Sequence, residues 1–354
     1  MTVNHQIPKQ FSTRNVLIAI FIGLSVTGYL IYQDFNKESF VNIDWKAQTF
    51  FWLFMCLLFM AFRDIGYMIR LRILTDKKLS WKQCFQVIML WEFASTLTPS
   101  VVGGSSIAMF IISREQIPLG RSTAIVLVTA LLDEIFYIIM VPIAILAAGY
   151  SNLFPVDLHQ NILGLNFGVQ GVFILGYGII LFLTVLVSIA LLFFPQGFKY
   201  TLSVIFSLSF LKRWQRKAIA VGEEVVITSK ELKHKPFSFW AKSFLATVLS
   251  WGSRFLVINF LLIAFMSITY NQHVVIYARQ MVMWVIMLIT PTPGSSGVAE
   301  LLFKGFLNEF TPDNLVGFQA FLWRILSYYP YMLIGVIVLP RWLRRTSTLK
   351  SDKD

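Results

Sequence analysis

The sequence predicts an all-α polytopic membrane protein: about six full transmembrane helices plus two re-entrant, broken-helix hairpins in an inverted repeat. Three observations predict it. Of 354 residues, 56% are hydrophobic and only 14% are charged, and mean hydropathy is +0.69, a balance that suits a bilayer. Several apolar runs reach the roughly 20 residues needed to cross a hydrocarbon core. Two apolar regions are also interrupted in the same way, by Thr98-Pro99 with Gly104-Ser105-Ser106 and by Thr290-Pro291 with Gly294-Ser295-Ser296.

The first span is expected over residues 16–32, retained rather than cleaved, because no small-residue cleavage site follows it. The second covers 49–71 and carries Arg63 and Asp64. A basic loop follows, with Arg70, Arg72, Lys77, Lys78 and Lys82. The first hairpin runs from Trp81 through the break at Pro99, Gly103 and Gly104 to Ile112, each arm too short for a full crossing. Residues 122–148 form the next span, interrupted by Asp133 and Glu134. The loop 149–167 has no Lys or Arg, and 168–194 is a further span. Residues 195–242 are long, polar and basic, and 200–216 mixes apolar and basic residues as an interfacial helix would; a solvated helix is the alternative. Residues 244–267 span again, with Arg254. The second hairpin contains Pro291, Pro293, Gly294, Ser295, Ser296, Gly297 and Glu300. Its prolines stop a helix, and a new helix is expected near Ser295, with either serine as N-cap. Residues 317–339, with Arg324, complete the set before a basic tail.

The net charge of +12 speaks first about topology. Placing the basic loops inside puts the N-terminus, residues 195–242 and the C-terminus in the cytoplasm, in a cell inner membrane. The whole chain, 1–354, then reads as one integral membrane domain, with repeat halves at about 49–148 and 244–339. Arg63 precedes Pro99 by 36 positions and Arg254 precedes Pro291 by 37. Asp133 follows Pro99 by 34 and Arg324 follows Pro291 by 33, and Tyr137 and Tyr328 lie one helical turn further on. The two halves have opposite expected orientation, an architecture used by transporters.

The run Pro291-Thr-Pro-Gly-Ser-Ser-Gly-Val-Ala-Glu300, with the Pro99…Gly103-Gly104 break, resembles the lysylphosphatidylglycerol synthase transmembrane-region family. This is the flippase-like domain of multiple peptide resistance factors, and the resemblance extends over about residues 49–345. It implies movement of modified phospholipids or other lipid-linked substrates between leaflets. It also implies a stand-alone member, because the chain ends nine residues after Arg345, which leaves no room for the soluble aminoacyltransferase domain.

An ionisable group in a bilayer costs about 3 kcal/mol on insertion scales, so Arg63, Asp64, Glu92, Asp133, Glu134, Arg254, Glu300 and Arg324 need a reason to be there. The arginines suit phosphate, and helix N-termini at Ser105 and Ser295 would add positive dipole ends. The expected substrate site is therefore Arg63, Arg254 and Arg324 with Pro99, Gly103, Gly104, Ser105, Ser106, Pro291, Pro293, Gly294, Ser295, Ser296, Gly297 and Glu300. Asp64, Glu92, Asp133, Glu134, Tyr137 and Tyr328 are charge or hydrogen-bond partners; a structural pair of Arg63 with Asp133 is the plain alternative. The carboxylates could hold a cationic substituent, bind a coupling proton or neutralise the arginines.

Cys56, Cys84 and the four histidines form no disulfide framework or metal pattern, so no cofactor or metal is expected. Membrane lipids, an anionic phospholipid or a polyprenyl-linked carrier, are the expected partners, nucleic acid is not, and a homodimer is compatible with the sequence. The function expected first is a lipid flippase or transporter. The alternatives are an intramembrane transferase acting on lipid head groups, for which no nucleophile–base signature or nucleotide loop is found, and an ion-coupled transporter of a small anion.

Overall fold

The computed structural model describes residues 45–98, 100–155, 159–162, 165–208, 211–288, 295 and 297–351. The expected first span, Pro99, residues 291–294 and Ser296 lie outside these. Among the described residues, five helical stretches are long and apolar enough to cross a membrane.

Helix α1 (Ala47–Leu74) has 28 residues, about 42 Å of helix. Helices α2 (Trp81–Leu97) and α3 (Ser100–Arg114) are shorter, about 25 and 22 Å. A reciprocal cap starts α2: Ser80 N–H donates to Gln83 Oε1 at 2.9 Å, and Gln83 N–H donates to Ser80 Oγ at 3.3 Å. Thr98 ends it with extended backbone, φ −99° and ψ 138°, as the residue before a proline is driven to adopt. The two arms meet closely because Gly104 has no side chain. A Cβ there would fall 2.2 Å from Ser95 Oγ.

Helix α4 (Leu119–Ala148) is closed by Gly149 at φ +79°. The following loop holds the β structure of the described residues, an antiparallel hairpin of β1 (His159–Ile162) and β2 (Leu165–Gly168). Helix α5 (Val169–Ser188) ends in a π turn, Ile189–Phe193. The basic segment is not one helix over 200–216. Helix α6 (Pro195–Ile205) stops, and α7 (Gln215–Lys233) begins after a short 3₁₀ turn. Helix α7 buries Ala218, Gly222, Val225 and Leu232, and Glu224 on it accepts from the Gly120 N–H of α4 at 2.7 Å.

Helix α8 (Phe237–Ile263) runs antiparallel to α1. Trp52 stacks on Phe260, Cys56 Sγ donates to the Val257 carbonyl, and Arg70 Nη1 donates to Thr247 Oγ1. As numbers rise on one helix they fall on the other. The crossing is tightest at Gly66, where a Cβ would lie 2.3 Å from Ser250 Oγ; small residues permit such approach between membrane helices.

Helix α9 (Tyr270–Leu288) opens with the same device as α2. Thr269 N–H donates to Gln272 Oε1 at 2.8 Å, and Gln272 N–H to Thr269 Oγ1 at 3.4 Å. Helix α10 (Val298–Leu307) has only 10 residues, about 15 Å. The last expected span is two helices, α11 (Asp313–Ser327) and α12 (Tyr329–Ser351). The break falls at Tyr328, φ −125° and ψ −57°. Pro330 accounts for it: the ring lacks the N–H that would bond the Leu326 carbonyl, and proline is tolerated in the first turn of a new helix.

Charged groups from the expected cytoplasmic loops meet at one end. Asp76 pairs with Arg121 at 2.6 Å and Lys235 at 2.5 Å, and Arg121 with Glu231 at 3.0 Å. Glu115 is held by Arg345 and accepts from Trp342 Nε1 at 2.7 Å and from Gln83 Nε2 at 2.8 Å. At the other end Arg279 donates to the carbonyls of Asn152 and Phe306 and pairs with Glu309.

Candidate functional site

A polar cavity of about 210 Å³ lies where α1, α2, α8, α9, α11 and α12 converge. Tyr67 of α1 lines it, with Glu92, Ser95, Thr96 and Thr98 of the first hairpin. Trp251 and Arg254 come from α8, Trp284, Met287 and Leu288 from α9, and Ser295 from the second break. Trp323, Arg324 and Ser327 come from α11, and Tyr328 and Tyr331 from the bend that follows it. Residues from both hairpins thus face one space.

Arg63 is 1% exposed and lies behind the wall. Its Nη2 is 2.6 Å from Glu92 Oε2 and its Nη1 is 3.0 Å from Asp64 Oδ1. The guanidinium is sandwiched by the Tyr67 and Tyr331 rings, 4.9 and 4.8 Å from their centroids, a cation–π arrangement. Tyr331 also donates its hydroxyl to Asp64 at 2.9 Å.

Arg254 differs in kind. It lies over Trp284 at 4.0 Å and near Trp251 at 5.4 Å. Among the described residues it makes no ion pair with a carboxylate and no hydrogen bond. Arg324 is paired with Glu300, Nε to Oε1 at 3.0 Å, and lies over Tyr328 at 3.8 Å. Glu300 Oε2 also accepts from the Gly297 N–H at 2.7 Å. One carboxylate therefore satisfies the first turn of α10 and neutralises an arginine of α11.

Several expectations change. The N-cap of α10 is Gly297, at φ +82° and ψ −48°, not a serine; side chains disfavour such backbone. Ser295 instead donates to the Met287 carbonyl at 3.2 Å. Ser105 does not begin a helix, because α3 starts at Ser100. It and Ser106 lie within α3, and Gly103 packs on Thr98. Asp133 pairs with Arg70, not Arg63, and accepts from Trp251 Nε1 at 2.7 Å. Glu134 points to α5, accepting from Thr184 Oγ1 at 3.0 Å. Tyr137 is buried against Trp251, ring centroids 5.1 Å apart. Asp133, Glu134 and Tyr137 do not line the cavity. Tyr328 does, and its hydroxyl donates to the Thr96 carbonyl at 3.0 Å, tying α2 to the α11–α12 bend.

Arg70 was the residue missed. It reads as the start of a basic loop, yet α1 continues to Leu74 and Arg70 is 4% exposed. It lies seven residues, about two turns, beyond Arg63, so both arginines share one face.

Comparison with known proteins finds relatives of the chain. The chain is similar to a UPF0104 membrane protein of Archaeoglobus fulgidus, 23% identical over 343 residues, covering 95% of this chain and 99% of that one. The lysylphosphatidylglycerol synthase TM region family matches residues 16–335. That match takes in the described residues up to Gly335, those lining the cavity among them, and the chain is a multi-pass membrane protein that belongs to the lysylphosphatidylglycerol synthase TM region family.

Proposed function

We propose that the protein is a lipid flippase or transporter that moves a phospholipid or lipid-linked head group between leaflets. The observation that carries this is Arg254: a guanidinium held by two tryptophans, facing a polar cavity inside an apolar bundle, with no carboxylate paired to it among the described residues. An anionic phosphate fits it, because arginine presents a planar fork to phosphate oxygens. A head group would sit in the cavity while its tails stay among the apolar helix faces.

In this reading the two helix pairs are re-entrant hairpins. Helices α2, α3 and α10 are each shorter than a hydrocarbon core of about 30 Å, and broken backbone is tolerated at that depth where protein or a wet cavity surrounds it. The halves are an inverted repeat: α1 and α8 pack antiparallel, and α2 and α9 open with matching Ser80/Gln83 and Thr269/Gln272 caps. The membrane is a cell inner membrane, with the Asp76–Arg121–Lys235 end in the cytoplasm.

Mass spectrometry of lipid co-purified with the protein identifies the cargo. Translocation of that lipid is then measured in reconstituted vesicles. Arg254→Gln is expected to abolish both co-purification and translocation while the protein stays monodisperse. Wild-type transport by a folded Arg254→Gln protein would refute this reading. Chemical conversion of the lipid by purified protein would favour the transferase instead.

A further inference from the structure

The charges around the cavity are balanced in number but not in pairing. Arg63, Arg254 and Arg324 stand against Asp64, Glu92 and Glu300. Glu300 pairs with Arg324. Asp64 and Glu92 share Arg63, so that triad is one negative charge in excess when ionised. Arg254, with no carboxylate in contact among the described residues, offsets the excess across the cavity. In a poorly solvated site such an offset matters over longer distances than in water.

An anion docked on Arg254 consumes that offset. The triad is then left with an uncompensated charge inside the bundle, which costs several kcal/mol unless it is neutralised. We propose that the Asp64/Glu92 pair takes up one proton when an anionic head group docks on Arg254, so that anion and proton cross the membrane together. This rests on the lipid-transport reading above and adds its source of energy. The proton comes from water and forms one O–H bond on a carboxylate; no other bond is made or broken.

Glu92 is the better placed carrier. It lines the cavity, with 23% of its side chain exposed, and its partner among the described residues is Arg63. Asp64 is held by both Arg63 and the Tyr331 hydroxyl. The other ionisable groups facing the pair are engaged. Tyr67 and Tyr331 cover Arg63, Arg324 holds Glu300 beside Tyr328, and Asp133 is bound by Arg70 and Trp251. Exchange of a proton for a substrate charge is a linkage, so each affects the other equally.

The test uses the purified full chain in detergent, with dioctanoyl phosphatidylglycerol and inorganic phosphate as probes. Calorimetry in buffers of different ionisation enthalpy counts protons taken up per ligand bound. The expected result is close to one proton for the wild type over part of the pH range, with Kd rising about tenfold per pH unit there. In Glu92→Gln the count should fall towards zero and Kd should no longer depend on pH. Should Glu92→Gln fail to fold, Asp64→Asn and the wild-type pH profile carry the same test. Binding by the wild type with no proton uptake and a flat pH profile would overturn the inference and leave the transport reading standing. Failure of the wild type to bind either probe would overturn both.

Discussion

Arg63 of α1 reaches Glu92 of α2 with Nη2 2.6 Å from Oε2, and this ion pair fastens the longest-packed pair of helices to the first hairpin. Removing the guanidinium leaves Asp64 and Glu92 facing each other without a cation. Breaking a buried pair from one side costs roughly 3–5 kcal/mol. Arg63→Met should therefore lower thermal stability in detergent strongly, whereas Arg254→Gln, which breaks no ion pair among the described residues and whose lost charge one proton on the Asp64/Glu92 pair can replace, should lower it less. Equal loss in the two variants would show that the arginines do not differ in role.

The α1–α8 crossing makes a separate demand. A Cβ at position 66 would lie 2.3 Å from Ser250 Oγ and 2.9 Å from the Ala246 carbonyl. The helices must part to admit it, at about 1–3 kcal/mol for an overpacked site. Gly66→Val should lower the unfolding midpoint, and adding Ser250→Ala should recover part of the loss by removing the nearest atom. A Gly66→Val protein as stable as wild type would contradict this packing.

Glu300 and Gly297 separate charge from backbone shape. Glu300→Gln keeps an oxygen for the Gly297 N–H but removes the charge opposite Arg324. It should abolish lipid translocation in vesicles while the protein still inserts and stays monodisperse. Gly297→Ala keeps all charges but forces a side chain to φ +82°, a strain of about 1–3 kcal/mol. It should reduce stability while translocation by the folded protein persists. Normal transport by folded Glu300→Gln would leave Glu300 as a packing element.

The topology is open to cysteine labelling. Ser151 is exposed beside the end where Arg279 binds Asn152. Ser229 is buried and makes a poor reporter, so Lys230, exposed on the same helix, is the better partner position. In intact cells Ser151→Cys should react with an impermeant maleimide and Lys230→Cys only after lysis. The native Cys56 and Cys84 are buried and should stay silent. Labelling at position 230 in intact cells would reverse the orientation and the positive-inside argument with it.

The sequence by itself determined the bilayer-spanning character, the positions of the long helices, the two breaks and the family. Each of these rests on local or near-local signals: apolar runs, prolines and glycines, and a motif. The bend at Tyr328 is not among them, because hydropathy runs through it and predicts one continuous span. What only the tertiary structure decided was which charges meet. Asp133 chose Arg70 over Arg63, Glu134 turned towards Thr184, and Arg254 was left without a carboxylate. Partner choice depends on the rotation of each helix and the angle at which it crosses its neighbours. Those are set by contacts between residues far apart in the chain, such as Gly66 against Ser250 and Cys56 against Val257, and no local pattern encodes them.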